Sequence, residues 1–256
     1  MADICARNPS AELVDRLSFW MIKRINKAVR DYALIEEGDR IAVAVSGGKD
    51  SLTLLELLHR RRPSVPERYT LVPLHIVSDW RCTERDQRAR LEHYFQALGV
   101  EYAFREIAIM GNAPDRPSEP GCFWCAWNRR KALFQMAHGG CNKLAFGHHA
   151  DDIAQTTLMN LFYHGRLQTM EPKVGFFGGL ITVIRPLAYV PEKETVRFAR
   201  AARFPVEGAP CPRAAVSRRA KMARLLRQIE AECPRAKVNL FRAVQREGRE
   251  SKKAPP

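Results

Sequence analysis

Six consecutive residues, Ser46, Gly47, Gly48, Lys49, Asp50 and Ser51, follow the apolar run IAVAV (41–45) and lead straight into LTLLELL. Two glycines after a buried strand let backbone N–H groups turn inward, and a helix starting at about Asp50 adds the positive end of its dipole. That combination suits anion binding. Ser46 and Ser51 add hydroxyl donors and Lys49 adds charge, so the expected ligand is a phosphate chain. A Walker A loop needs Gly-x-x-x-x-Gly-Lys-Ser/Thr and a dinucleotide fold needs Gly-x-Gly-x-x-Gly, and neither pattern is present.

A second polar group, GHHADD (147–152), closes the apolar run KLAF (143–146). It sits at the carboxyl end of an expected strand, where open α/β sheets bind ligands. Gly147 and His148 are candidate nucleotide contacts. Asp152 and Asp50 are candidate Mg²⁺ ligands, because a hard cation takes carboxylate oxygens together with phosphates. Asp151 is a candidate helix cap. His148 and His149 are adjacent at a helix start and point apart, which disfavours a metal pair. Asp79, just past the second strand, is either an adenosine contact or a loop carboxylate.

GCFWCAWNRRK (121–131) holds Cys122 and Cys125 in a Cys-x-x-Cys at an expected helix start, which lowers thiol pKa and favours metal binding or redox chemistry. A thioredoxin-type site, a zinc half-site and an iron–sulfur cluster all fit this spacing. No second Cys-x-x-Cys completes a Cys₄ zinc site. Cys211, in the Pro-flanked GAPCPR, is a third candidate ligand. Three thiolates would leave one iron of a cubane open. Cys141 reads as core, and Cys5, Cys82 and Cys233 read as structural or incidental.

Apolar runs at 41–45, 71–77, 101–109, 143–146 and 180–184 alternate with helical periodicity at 50–60, 83–98, 123–138 and 149–163. This predicts an α/β fold: a parallel five-stranded sheet with helices on both faces. An amphipathic helix over residues 11–30 precedes it. The expected division is an N-terminal helical segment (1–37), a nucleotide-binding α/β domain (38–205) and a basic C-terminal helical extension with a disordered tail (206–256). The breaker-rich GNAPDRPSEPG (111–121) is an expected surface loop.

The 256 residues carry a formal net charge of +14, which favours a polyanionic partner, nucleic acid or an anionic membrane surface. Residues 212–253 hold thirteen Lys or Arg against four Asp or Glu. The alternatives are a solvated helix face and an RNA-binding surface presenting Arg218, Arg219, Lys221 and Arg224. No apolar run reaches the ~18 residues of a membrane span, and the first residues lack the order of a signal peptide. The expected location is cytoplasmic, without a membrane partner. Seven cysteines then read as reduced thiols or metal ligands.

SGGKDS resembles the PP-loop of the N-type ATP pyrophosphatases, which cleave ATP between its α and β phosphates. With CFWCAWNRR, FGHHADDIAQTTLMNLFYHGRLQTMEPKV, VIRPLAYVPEKE, the APC loop and LFRAVQ, the chain resembles the tRNA 2-thiocytidine synthetase family from about residue 20 to 248. The resemblance implies that ATP adenylates cytidine O2 in the tRNA anticodon loop and that sulfur then displaces AMP. It further implies that Ser46 to Ser51 bind ATP with Mg²⁺, with Lys49 and Asp50 catalytic, and that Cys122, Cys125 and Cys211 hold a 4Fe-4S cluster. Implied partners are tRNA, through Arg129, Arg130, Lys173 and the basic extension, and a cysteine desulfurase or other sulfur donor; a homodimer is left open. Two departures stand out. Ala214 occupies the place of a usual second cysteine, and WRCTERD replaces a Gln-Lys-Gln-Pro-Gly-Phe-Pro-like run. The competing readings are a lysidine-forming or uridine-thiolating relative and a zinc-containing nucleotide- and RNA-binding protein without catalysis.

Overall fold

The structure, a computed structural model, describes residues 9–79, 85–109, 121–205 and 217–250. The elements in chain order are α1 (Pro9–Tyr32), β1 (Arg40–Ala44), α2 (Lys49–Arg61), β2 (Thr70–Ser78), α3 (Arg85–Ala97), β3 (Ala103–Ile107) and α4 (Cys122–His138). There follow β4 (Lys143–Ala145), α5 (Ala150–His164), β5 (Lys173–Phe176), β6 (Ile181–Ile184), α6 (Glu192–Ala202), α7 (Arg218–Glu232) and α8 (Ala236–Glu250). Cys5, Cys82, Cys211, the expected loop at 111–120 and the tail at 251–256 lie outside the described residues.

β1 is central, and its apolar run is continuous because both of its faces are covered. Alternate side chains go to opposite sides. Ile41, Val43 and Val45 join the core formed with α1, α2, α3 and α6, while Ala42 and Ala44 face a second core with Phe134 and Ala137 of α4. The small alanines on that side let α4 lie close to the strand. Helix α1 belongs to the first core through Met21, Ile25, Ala28 and Val29.

The strand order is β3-β2-β1-β4-β6-β5, with all pairs parallel except β5–β6. The sheet therefore has six strands rather than five. The extra strand is a four-residue, partly exposed edge strand that forms a hairpin with β6, so strand–helix alternation does not reveal it. Its turn is visible in the sequence as Phe177-Gly178-Gly179, where all three residues have positive φ.

The basic region after residue 216 forms two helices broken around Pro234, where a proline cannot continue a helix. Met222 and Leu226 of α7 bury against Ala154 and Leu158 of α5, with Leu240 of α8 packed beside them. Phe241 adds an edge-to-face contact with Tyr189 at 5.7 Å.

Candidate active site

β1 connects toward β2 on one side, and β4 is joined to β6 on the other, so a crevice opens between the carboxyl ends of β1 and β4. The turn at 46–48 and the loop at 146–149 form its walls. Gly47 has φ of +88°, a conformation that suits glycine alone. The serines lock the turn rather than project from it. Ser46 N–H donates to Ser51 Oγ (3.1 Å), Ser51 Oγ donates to the Gly48 carbonyl (2.9 Å), and Gly48 N–H donates to Ser46 Oγ (3.2 Å). No side chain caps α2 at Gly48, which leaves its first amides available to an anionic oxygen.

Gly147 is required where the loops meet. A Cβ there would lie 2.9 Å from the backbone carbonyl of Asp50 and 3.0 Å from Ser51 N. The loops enclose a cavity of about 270 Å³ whose lining includes Ser46, Asp50, Ser51, Arg129, His148 and Asp152. A larger hollow of about 1480 Å³ lies among α1, α5, α6, α7 and α8. The smaller one is the better candidate, because it alone holds the glycine-rich turn at the switch point.

Asp50 is held from both sides. Its Oδ2 accepts from Lys49 Nζ (2.8 Å) and its Oδ1 from the buried Thr195 hydroxyl (2.6 Å). Lys49 also donates to Glu192 at 3.1 Å. Burial pulls the Lys49 pKa down, but the bonds to Asp50 and Glu192 outweigh it and hold the ammonium above the ordinary lysine value.

Helix α5 opens with a capping box built on a histidine. His149, in extended conformation, accepts from Asp152 N–H through Nδ1 (3.3 Å), and Asp152 Oδ2 accepts from His149 N–H (3.1 Å). With Nδ1 an acceptor, the ring proton lies on Nε2, 3.8 Å from Asp50 Oδ1. The cap is therefore His149 and not Asp151. Asp151 lies one residue inside the helix, accepting from Glu192 N–H (2.8 Å) and from Lys237. Asp152 Oδ1 also accepts from Arg219 at 3.1 Å.

His148 stacks on Phe146 (5.6 Å between centroids, 27°), and its buried Nδ1 has no hydrogen-bond partner. Burial, then the charges of Arg185, Arg219 and Arg130, lower its pKa to about 3, so the ring is neutral. Burial and Arg130 likewise pull Arg185 down to about 10. Asp79 Oδ1 accepts from Ile109 N–H at 2.6 Å, tying together the chain beyond β2 and β3.

Because α4 leads into β4, it runs opposite to the strand, and its first turn, with Cys122 and Cys125, lies at the same sheet edge as the crevice. Cys122, Cys125, Arg129 and Leu133 recur at helical spacing on one face, and Arg129 and Leu133 line the cavity. Cys125 is thus one turn, ~6 Å along the axis, from a cavity residue. Neither cysteine is in a disulfide, and as an i, i+3 pair they fit two positions of an iron–sulfur site; Cys211 is outside the described residues. Among the described residues no three His, Cys, Asp or Glu converge as a metal site. Two cavity carboxylates, Asp50 and Asp152, fit the usual way Mg²⁺ is held on a nucleotide, with phosphates and water completing its shell.

The expected RNA contacts separate. Arg129 lines the cavity and Arg219 reaches Asp152, whereas Arg130, Arg218, Lys221 and Arg224 are exposed, with Arg218 4.7 Å over the Tyr163 ring. Lys173 donates to the Ala33 carbonyl at 2.5 Å, an internal tether. Glu192, Thr195, Arg185 and the His149 cap are site residues that sequence reasoning did not single out. Only the segment VIRPLAYVPEKE pointed toward Arg185 and Glu192.

A switch-point crevice closed by a glycine-rich, serine-locked turn defines a PP-loop α/β protein, and the PP-loop domain family matches residues 19–207. Over 238 residues the chain is 41% identical to the tRNA-cytidine(32) 2-sulfurtransferase of Citrifermentans bemidjiense, covering 91% of this chain and 92% of that one. The Geobacter metallireducens protein of the same name is 42% identical (91% and 92%), and that of Delftia acidovorans 36% (88% and 72%). This chain belongs to the tRNA-cytidine(32) 2-sulfurtransferase family of PP-loop proteins. In structure it is similar to the U34-tRNA thiolase NcsA from Methanococcus maripaludis, solved with its 4Fe-4S cluster. The TM-score is 0.72 at 21% identity, covering 91% of this chain and 79% of that one, a likeness of fold.

Proposed function

We propose that this protein is an ATP-dependent tRNA sulfurtransferase that converts a cytidine of the anticodon loop to 2-thiocytidine. The observation that carries the reading is the geometry of α4, which presents the cysteine pair and the cavity-lining Arg129 on one face, one turn apart. Membership in a family whose named members act on cytidine 32 supplies the substrate.

In this reading the free amides of α2 and the 46–48 turn hold the triphosphate, with Lys49 and Arg129 offsetting its charge. The cytidine O2 attacks the α-phosphorus, the bond to the β-phosphate oxygen breaks, and pyrophosphate leaves. The resulting O2–AMP bond turns a poor leaving group into a good one. Sulfur at the sulfide level then attacks C2, the C2–O bond breaks, AMP departs with the oxygen, and loss of the S–H proton leaves the thiocarbonyl. The O2 of a paired base is hidden, so the single-stranded loop is the accessible target.

Asp50 and Asp152 would hold Mg²⁺, which would neutralise charge developing on pyrophosphate. Cys122, Cys125 and Cys211 would hold a 4Fe-4S cluster, which would supply a soft iron position for the incoming sulfur. Asp50, fixed by Thr195, orients Lys49, and neutral His148 packs against the nucleotide without adding charge. The sulfur donor is a cysteine desulfurase or an equivalent carrier, whose persulfide sulfur a thiol reductant brings to the sulfide level with two electrons, and the protein acts in the cytoplasm, where tRNA is processed. Residues 1–37 serve as an N-terminal segment that packs through α1, 38–205 as the ATP-binding domain and 206–256 as a basic extension. The test is tRNA-dependent release of pyrophosphate from ATP by the purified, anaerobically reconstituted protein. Release that needs tRNA supports the reading; ATP binding without release under all conditions contradicts it.

A further inference from the structure

Helix α4 carries a second stripe of side chains beside the one that lines the cavity, and its exposed rings serve neither the nucleotide nor the cysteine chemistry. Phe123, Trp127, Arg130, Lys131 and Phe134 recur there at i, i+4, i+7, i+8 and i+11, one stripe along the helix. Phe123 and Trp127 are 79% and 52% exposed, yet their rings stack at 6.2 Å between centroids and 17° between planes. Arg130 and Lys131 follow, both exposed. Phe134 is covered by the hairpin turn, where its ring meets Phe176 at 5.0 Å and Phe177 at 5.5 Å, and Phe177 itself is 63% exposed. The result is a track ~16 Å long: an aromatic shelf, two cations, and another aromatic. No Asp or Glu occurs anywhere in α4.

We propose that the exposed N-terminal part of this stripe is a stacking platform for unpaired bases of the RNA substrate, with Phe123 and Trp127 carrying one base and Arg130 and Lys131 holding the adjoining phosphates. The inference rests on the tRNA reading above and assigns residues to it. Large flat rings left in water at the tip of a helix have a high apolar cost, which a base removes by covering them. Any base offers a π-face, and cations interleaved with aromatics match the phosphate spacing of a single strand. The net charge of +14 agrees with a polyanionic occupant. A second copy of the chain is disfavoured, since pairing this face with itself would set Arg130 and Lys131 against the same cations. The shelf occupies the first two turns of α4, directly beside Cys122 and Cys125, so a strand stacked there brings its neighbouring nucleotide to the mouth of the crevice.

The test uses the full chain, a synthetic anticodon stem-loop RNA and fluorescence anisotropy at fixed salt, with ATP binding as the check on integrity. Phe123→Ala with Trp127→Ala should weaken RNA binding about tenfold or more and leave ATP binding unchanged. The ring-retaining pair Phe123→Tyr with Trp127→Phe should stay within about threefold of the parent. Parent-like RNA affinity in the alanine pair would overturn the platform while leaving the tRNA reading intact. Equal losses in both pairs would also overturn it, because stacking would not be the cause. A parent dimer that dissociates in the alanine pair, with RNA affinity unchanged, would assign the face to self-association instead. Failure of the parent protein to bind the stem-loop at all would sink the tRNA reading itself.

Discussion

The α-carbon of Gly147 faces the backbone of Asp50 so closely that a Cβ would stand 2.9 Å from the Asp50 carbonyl oxygen. The loops after β1 and β4 are therefore one unit, and the side-chain-free contact sets the width of the crevice. Gly147→Ala must push α2 and the 146–149 loop apart. Overpacking of this kind costs ~1–3 kcal/mol. The variant should melt several degrees lower and bind ATP at least tenfold more weakly, measured by thermal denaturation and calorimetric titration.

Asp50 joins Lys49, Thr195 and the first turn of α2. Asp50→Asn keeps the shape but removes the charge that orients Lys49 and that would help hold Mg²⁺ in the proposed mechanism. Pyrophosphate release should fall by two orders of magnitude or more, with ATP affinity reduced far less. Normal release in a pyrophosphate assay would remove Asp50 from the mechanism.

Each of Cys122→Ala, Cys125→Ala and Cys211→Ala should lower iron and acid-labile sulfide in anaerobically purified protein while leaving ATP binding intact. Unchanged iron in Cys211→Ala would refute its place as third ligand. Zinc without sulfide in the parent would replace the cluster with a structural metal.

His75 is buried with its Nδ1–H donating to the Val45 carbonyl at 2.8 Å, and burial lowers its pKa to about 4. The unfolded chain binds this proton below its ordinary value of 6.5, whereas the folded chain stays neutral until about 4. Stability is therefore full above pH 6.5 and falls as pH drops from 6.5 toward 4, by ~3 kcal/mol in all. His75→Gln should flatten that part of the acid limb in urea denaturation, while lowering stability at neutral pH by ~1 kcal/mol. An unaltered slope would exclude His75 as its source.

Arg219 and its neighbours on α7 should behave differently. Arg218, Lys221 and Arg224 are exposed, and converting all three to Gln should lower the slope of log affinity for tRNA against log salt by about 2. Arg219→Gln should instead perturb ATP binding, because its partner is Asp152. An unchanged salt slope in the triple variant would make this helix face merely solvated.

What the sequence revealed depended on how local the signal was. The phosphate turn was legible because β1 is buried on both faces and the glycines follow it at once. β5 was hidden by its length and its edge position. The His149 cap was hidden because imidazole replaces the usual hydroxyl or carboxylate. Thr195 and Glu192 reach the site from more than 140 residues away, a closure that no spacing encodes. Arg129 read as an RNA contact because the apolar residues of CFWCAWNRRKALF surround the helix, so the face turned to the cavity emerges only once α4 is docked on the sheet.

The most direct test of the central claim is mass spectrometry of nucleosides from bulk tRNA of the host, with the gene present, deleted, and restored as parent or Cys125→Ala. 2-Thiocytidine should disappear on deletion and return with the parent gene but not with the cysteine variant. Unchanged 2-thiocytidine in the deletion strain would contradict it.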